Sequence, residues 1–253
     1  MEAMGDILEK IQNMKKSTTH TSSTAAPKYE CEKCHDIGFV IDKENNRAVQ
    51  CECMLVKRYK EMLKKSGISE EFRNMTFENY KTNRKPKIII EAKKAAMEYV
   101  EGFKEFKNER RNSIAFLGQV GSGKTHLTMA IANALMEKRI AVLYMQYREE
   151  IPKLKQNMLD TEYYQNQLSK FKEAPVLLVD DLFKGKITDS DRNIMFEIIN
   201  HRYFKCLPII VSSEYKINDL VYYDEAIGSR IVEMCKGKII QFEGKELNYR
   251  LRG

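Results

Sequence analysis

The sequence predicts an α/β protein in which helices cover both faces of a parallel five-stranded sheet, preceded by a small cysteine-rich module. Two observations predict this fold. From about position 113 of the 253-residue chain, short apolar runs alternate with longer amphipathic stretches, as in βα units. Four of the six cysteines are clustered between positions 31 and 53. With 43% hydrophobic and 31% charged residues, the composition excludes collagen-like and fully disordered proteins.

The elements are assigned in chain order. Apolar residues at helical spacing predict a short amphipathic helix over Met4–Met14, and the Ser/Thr-rich run Lys16–Pro27 is typical of a linker. Helices are predicted from Met54 to about Ser66 and over Pro86–Phe106. Five apolar runs predict the strands, namely Ser113–Leu117, Ala141–Met145, Val176–Val179, Ile209–Ser212 and Lys238–Phe242. The intervening helices are expected to start near Lys124, Glu149, Asp189 and Asn218.

This organisation predicts three parts: a helix and linker over 1–28, a metal-binding module with a basic helix over 29–66, and a nucleotide-binding domain over 67–253. No apolar run approaches the roughly 20 residues of a membrane span, and no signal peptide is evident, so we expect a soluble cytoplasmic protein. The net charge is +7, and residues 54–111 contain 16 basic against 9 acidic residues. Such a stretch is compatible with a polyanionic partner and equally with a solvated helix surface.

The strongest motif runs from Gly118 to Thr125 and fits G-x-x-x-x-G-K-[ST] at every position, between a predicted strand and a predicted helix. Backbone N–H groups of such a loop close around phosphate oxygens at the positive end of a helix. Lys124 is expected to neutralise the β and γ phosphates of ATP, and Thr125 to ligate Mg²⁺. The predicted nucleotide-binding residues here are Gly118, Gln119, Val120, Gly121, Ser122, Gly123, Lys124, Thr125 and His126.

A second motif is the apolar strand that ends in Asp180 and Asp181. A buried strand of this kind delivers a carboxylate to the metal, so Asp180 is predicted to hold Mg²⁺ directly or through water. Asp181 takes the position where many ATPases have the glutamate that polarises the attacking water. Because aspartate is one methylene shorter than glutamate, we expect ATP binding together with slow hydrolysis.

Two weaker polar features complete the predicted site. Ser212 ends another strand, where its hydroxyl could approach a γ-phosphate or simply mark a polar strand end. Arg230, in a Gly-Ser-Arg segment, is a candidate for stabilising phosphate charge in a neighbouring subunit, with a surface salt bridge as the alternative.

The cysteine module has the spacing C-x2-C-x16-C-x-C, formed by Cys31, Cys34, Cys51 and Cys53. Four thiolates can close a tetrahedral zinc shell without an open position, which indicates a structural site. The segment between the pairs predicts a hairpin, and the whole module a zinc ribbon. His35 is expected to be a bystander, and unligated or redox-active thiols remain the alternative.

Together these motifs resemble an AAA+ ATPase of the DnaC/DnaI-type helicase loaders and the related IstB-like transposition ATPases. The resemblance is carried by LLVDDLFKGK, IIVSSE and EAIGSRIVEM, and covers roughly residues 75–253 plus the cysteines. It implies the strand order 5-1-4-3-2, ATP bound between self-associated subunits, and Arg230 acting as an arginine finger in trans. Ser212 and Ser213 match the sensor 1 region, with Glu214 where Asn is usual. Arg250 resembles a C-terminal arginine that can face nucleotide, with no room for a helical lid.

Three functions follow as hypotheses. The first is an ATP-dependent loader that places a hexameric replicative helicase on single-stranded DNA, with slow, partner-stimulated hydrolysis. Candidate strand contacts are Tyr144, Tyr147, Arg148 and Lys153, unless they are ordinary surface. The second is an IstB-like transposition regulator that acts on double-stranded DNA. The third is a nucleotide-gated adaptor that hydrolyses little ATP.

Overall fold

A computed structural model describes residues 29–42, 45, 47–65, 70, 74–83 and 85–251. Their strands are β1 (Phe39–Asp42), β2 (Arg47–Gln50), β3 (Ile114–Gly118), β4 (Val142–Gln146), β5 (Val176–Asp180), β6 (Ile209–Ser213) and β7 (Ile239–Phe242). Their helices are α1 (Glu52–Lys65), α2 (Lys87–Phe106), α3 (Lys124–Glu137), α4 (Tyr147–Gln156), α5 (Thr161–Glu173), α6 (Asp189–Lys205), α7 (Ile217–Tyr223) and α8 (Glu225–Met234). The predicted helix Met4–Met14 and linker Lys16–Pro27 lie outside the described residues.

Strands β3 to β7 form one parallel sheet in the order β4-β5-β6-β3-β7. Read from the β7 edge, this is the predicted order 5-1-4-3-2, which is therefore confirmed. The next strand in sequence after β3 is β4, but β4 lies at the opposite edge of the sheet. The neighbours of β3 in the sheet are β6 and β7. The carboxyl ends of β3, β5 and β6 consequently meet at one edge of the sheet, where ligands bind in open α/β sheets.

Side chains alternate between two apolar layers, as a sheet covered on both faces requires. Ile114 and Phe116 of β3 pack with α2 and α3 on one face, whereas Ala115 and Leu117 pack on the other face. Helices α4 to α8 contribute to this second layer. All five residues of β3, β5 and β6 are buried, so these strands form the centre of the molecule.

The predicted elements differ from the structure mainly where one helix gives way to another. The sequence indicated one helix beginning near Glu149, but α4 ends at Gln156 and α5 starts anew after Asp160, whose side chain accepts the N–H of Tyr163 at 3.0 Å. Helix α8 likewise begins after Asp224, which accepts the N–H of Ile227 at 2.9 Å. Both breaks depend on aspartate caps within polar stretches.

The cysteine-rich module has the predicted hairpin, in which β1 and β2 pair antiparallel with Val40 opposite Val49. Helix α1 follows at once and packs on the large domain. Val56 of α1 is buried in the same apolar layer as α2 and α3, and Tyr59 packs against that layer. The boundary predicted near residue 66 therefore separates two parts that share apolar contacts. No helix in the described part of the chain has the length and apolar character to cross a membrane.

Candidate nucleotide site and cysteine cluster

The phosphate-binding motif forms the turn between β3 and α3, as predicted. Gly118 has φ of +95°, and a Cβ atom there would lie 2.3 Å from the carbonyl oxygen of Phe242. Only glycine fits a left-handed position so close to another backbone. Gln119 and Ser122 lie within the loop, where the Ser122 hydroxyl donates to the Gln119 carbonyl at 2.9 Å. The loop therefore has a backbone shape fixed by its own residues and by β7.

Lys124, the first residue of α3, turns back over this loop. Its Nζ donates to the carbonyl oxygens of Gly118 at 2.8 Å and Gln119 at 2.7 Å. Burial lowers the pKa of Lys124 to about 8. Both direct partners are neutral carbonyls, so no carboxylate in the described part of the chain forms an ion pair with it. This arrangement leaves Lys124 suited to an anionic ligand in the loop.

Asp180, at the end of β5, is a buried carboxylate surrounded by hydroxyl groups. Its Oδ1 accepts from Thr125 Oγ1 at 3.0 Å and from Ser212 Oγ, and its Oδ2 accepts from the hydroxyl of Tyr144 at 3.1 Å. Burial raises the pKa of Asp180, and these hydrogen bonds offset only part of that effect. The structure thus brings together Thr125 and Asp180, the two oxygen donors predicted for Mg²⁺, a metal that favours such ligands.

The role of Tyr144 was not foreseen, because the sequence suggested a DNA contact. Its hydroxyl is instead turned toward Asp180, and Tyr147 is 4% exposed in the second apolar layer. The expectation that Tyr147 stacks on DNA is wrong because its ring is buried, whereas a DNA contact of the partly exposed Tyr144 stays a prediction. Arg148 is exposed, and Lys153 forms an ion pair with Glu150.

Asp181 forms part of an ion-pair cluster across the ends of β5 and β6. Its Oδ2 lies 2.8 Å from Nζ of Lys184, and the same Nζ lies 2.7 Å from Oε1 of Glu214. The backbone N–H of Asp181 donates to Ser212 Oγ at 2.8 Å, and its φ is +55°. Ser212 therefore contacts both aspartates, a bridging position that its place at a strand end did not reveal.

A cavity of about 300 Å³ lies beside the loop. Its lining combines predicted and unforeseen residues, namely Met75, Val120, Gly121, Gly123, Lys124, Thr125, His126, Asp181, Lys184, Glu214 and Arg250. Arg250 thus lines this cavity, and its role toward a nucleotide stays a prediction. Asp180 and Ser212 lie behind this lining, in contact with Thr125 and Asp181.

Two segments remote in sequence cover the loop. The N–H of Tyr249, in the short 3-10 turn Tyr249–Leu251, donates to the Gly121 carbonyl at 3.1 Å. On another side, a ring nitrogen of His126 lies 2.9 Å from the Thr76 carbonyl oxygen. Tyr80 packs edge-on against His126 with ring centroids 5.0 Å apart. No local motif marks these contacts, which explains why the sequence did not predict them.

Ser213 and Arg230 do not join this cavity. The Ser213 hydroxyl donates to the Leu182 carbonyl at 2.8 Å. Arg230 lies on α8, where its Nε donates to Asn200 Oδ1 at 3.0 Å and its guanidinium stands 5.2 Å from the ring of Phe196. A role toward the nucleotide of another subunit concerns a second copy of the chain, so that assignment stays a prediction.

The four clustered cysteines are buried, and their sulfur atoms all lie within 4.8 Å of one another. Cys31 Sγ is 3.8 Å from Cys51 Sγ, and Cys34 Sγ is 3.5 Å from Cys53 Sγ. Tetrahedral zinc with bonds of about 2.3 Å separates its sulfur ligands by about 3.8 Å. The donor set therefore fits zinc. Outside it, the ring of His35 packs 4.6 Å from that of Tyr29.

Arg139 connects the cysteine cluster to the nucleotide domain. It follows the end of α3 and has φ of +63°. One guanidinium nitrogen donates to Cys31 Sγ at 3.3 Å, and the other to the Glu30 carbonyl at 3.1 Å. The helix that begins at the phosphate loop thus ends beside the cysteines.

The loop between β3 and α3, the acidic end of β5 beside it and the strand order β4-β5-β6-β3-β7 together define an ATP-binding fold of the AAA+ class. The chain belongs to the IstB-like ATP binding protein family, whose sequence model matches residues 12–252. It is 40% identical over 238 residues to the phage-like element PBSX protein XkdC of Bacillus subtilis (strain 168), covering 90% of this chain and 88% of that protein.

Helicase loaders are more distant relatives. The chain is 26% identical over 170 residues to the replicative helicase loader DnaI of Bacillus subtilis (strain 168), which covers 66% of this chain and 52% of DnaI. Its fold is similar to the crystal structure of the DnaC helicase loader, with a TM-score of 0.59 and 22% identity over 69% of this chain and 100% of that one. This structural likeness concerns the fold alone.

Proposed function

We propose that the protein binds and hydrolyses ATP and uses it to load a hexameric replicative helicase onto single-stranded DNA. The observation that carries the ATPase part is the meeting of Lys124, Thr125 and Asp180 at the carboxyl edge of the sheet. The relationship to DnaI and the shared fold with DnaC support the loading part.

Each side chain has a proposed task in this reaction. Lys124 binds the β and γ phosphates, for which its carbonyl-bound ammonium is available. Thr125 and Asp180 hold Mg²⁺, which offsets the negative charge that develops on the phosphate oxygens. Asp181 takes the proton from the attacking water, and Arg230 of one subunit faces the nucleotide of the next.

The cysteines Cys31, Cys34, Cys51 and Cys53 are proposed to hold a structural zinc ion. All four are buried, and their spacing fits a closed tetrahedral shell. We assign the module to helicase binding and the nucleotide domain to single-stranded DNA and to self-association.

The loading proposal is tested by mixing the protein with the hexameric replicative helicase of its host and measuring the mass of the complex with ATP, with ADP and without nucleotide. We expect the hexamer to gain a defined multiple of 29.6 kDa, dependent on nucleotide. The Lys124→Ala variant should lose that dependence and its phosphate release. Absence of a complex in every nucleotide state would refute the loader.

The family match keeps a second candidate in view, a transposition regulator that assembles on double-stranded DNA. Filaments on long duplex DNA, together with failure to bind the helicase, would favour it. The ion pair of Asp181 with Lys184 supports a third, an adaptor with little hydrolysis. Phosphate release that DNA and helicase stimulate, and that Lys124→Ala abolishes, would exclude the adaptor.

A further inference from the structure

Two lysines, Lys124 and Lys184, line the nucleotide cavity, and the groups that they contact indicate different roles. Among the described residues, Lys124 donates hydrogen bonds to the neutral carbonyl oxygens of Gly118 and Gln119. Lys184 instead lies between two carboxylates, 2.8 Å from Asp181 and 2.7 Å from Glu214. Since the ammonium of Lys184 is already neutralised, a phosphate gains less from it than from Lys124. The contacts of Lys184 indicate a task toward Asp181.

Asp181 is held at both its backbone and its side chain. Its N–H donates to the buried Ser212 hydroxyl, and its left-handed φ of +55° sets the direction of the side chain. The N–H of Lys184 donates to the Asp181 carbonyl at 3.0 Å, which closes a turn that returns the lysine to the carboxylate. The backbone turn between Asp181 and Lys184 thus brings the two side chains of the ion pair together.

Resting on the proposed ATPase, we propose that Lys184 is a positioning residue that restrains Asp181 and keeps intrinsic ATP hydrolysis slow, while Glu214 weakens this restraint by sharing the ammonium. In the reaction, the water oxygen bonds to the terminal phosphorus as the bond from that phosphorus to the ADP oxygen breaks. The proton that water loses passes to the Asp181 carboxylate. The ion pair holds Oδ2 of this carboxylate 2.8 Å from Nζ of Lys184 and so restrains it from turning toward the attacking water.

The charge state of Lys184 supports the same assignment. Burial acts to lower its pKa, but the hydrogen bonds to Asp181 and Glu214 outweigh burial and raise it. Its side chain is 25% exposed, and those of Asp181 and Glu214 are 27% and 30% exposed. The ion pair between Lys184 and Asp181 is therefore partly open to solvent. A partner with an acidic group that contacts Lys184 here could break this ion pair.

The test compares phosphate release at saturating Mg²⁺ and ATP, without helicase or DNA, in the full chain. Lys184→Gln removes the restraint, and we expect kcat to rise roughly three- to tenfold with nucleotide affinity changed less than about twofold. Glu214→Gln leaves the ammonium to Asp181 alone, so kcat should fall. Lys184→Arg should restore slow turnover. The control Lys186→Gln removes the same charge two residues away, at an exposed position.

The variants also separate the failure of this proposal from that of the ATPase itself. In the double variant Asp181→Asn with Lys184→Gln, turnover should be as slow as in Asp181→Asn alone. A Lys184→Gln variant with unchanged or lower kcat, or with nucleotide binding weakened tenfold, would overturn the restraint and leave the ATPase intact. Phosphate release that Lys124→Ala does not affect would overturn the ATPase, and the restraint with it.

Discussion

The hydroxyl of Ser212 makes two hydrogen bonds in the interior of the protein. Its removal should therefore lower the free energy of unfolding more than the loss of a buried serine hydroxyl usually does. Ser212 is fully buried, donates to the Asp180 carboxylate and accepts the Asp181 N–H at 2.8 Å. A hydrogen bond to a charged group contributes about 1.5–3 kcal/mol, and an N–H left unpaired in the interior costs about 1–3 kcal/mol. Because the two effects are coupled, we expect Ser212→Ala to lower the free energy of unfolding by about 2–4 kcal/mol.

Ser213→Ala is the matched control. Ser213 is equally buried on the same strand, but its hydroxyl hydrogen-bonds to neutral backbone groups, the Leu182 carbonyl at 2.8 Å and the Tyr215 N–H at 3.2 Å. Its loss should cost about 1–2 kcal/mol. Urea unfolding without nucleotide at pH 7 measures both variants, with equal m-values as the condition for comparison. If Ser212→Ala costs no more than Ser213→Ala, the charged network around Asp180 does not stabilise the fold as we reason.

Three further changes have defined outcomes. Because the folded-state pKa of Asp180 is raised, the stability of the parent protein relative to Asp180→Asn should be highest below about pH 4 and should fall as the pH rises. Urea unfolding without nucleotide at several pH values measures this difference, and a difference that does not vary with pH would contradict the reasoning. Arg139→Ala should weaken zinc retention roughly tenfold in competition with a chromophoric chelator. Unchanged zinc release would show that the contact of Arg139 with Cys31 does not help to hold the metal. Gly118→Ala should lower the free energy of unfolding in urea by about 3 kcal/mol or more, because the new Cβ would clash with the Phe242 carbonyl. A smaller loss would show that the backbone shifts to accommodate the methyl group.

The sequence was sufficient for features that are local in the chain. The motif Gly118–Thr125, the strand that ends in Asp180 and the four-cysteine spacing each lie in one short window, and the structure has the turn, the strand and the sulfur cluster there. Alternation of strands and helices likewise predicted the layers, because a covered parallel sheet requires it.

Contacts between distant segments could not be read in the same way. Tyr144 pairs with Leu178 across β4 and β5, which places it diagonally next to Asp180, 36 residues further along the chain. Strand register decides that neighbour, and no local pattern encodes it. The contact of Arg139 with Cys31 spans 108 residues and depends on how α1 packs. The sequence identified Asp181 as a candidate catalytic carboxylate but did not reveal its ion pair with Lys184.

The strand order also has a consequence for folding kinetics. Thr125 and Asp180 are 55 residues apart, and Asp180 and Ser212 are 32 apart, so the site exists only after β3, β5 and β6 have paired. Such non-local pairings form late and slowly relative to helices. A nucleotide that binds here recognises only the fully paired sheet, and it stabilises the native state without assisting the earlier folding steps. Its effect on the chain should therefore appear as slower unfolding, with the refolding rate unchanged.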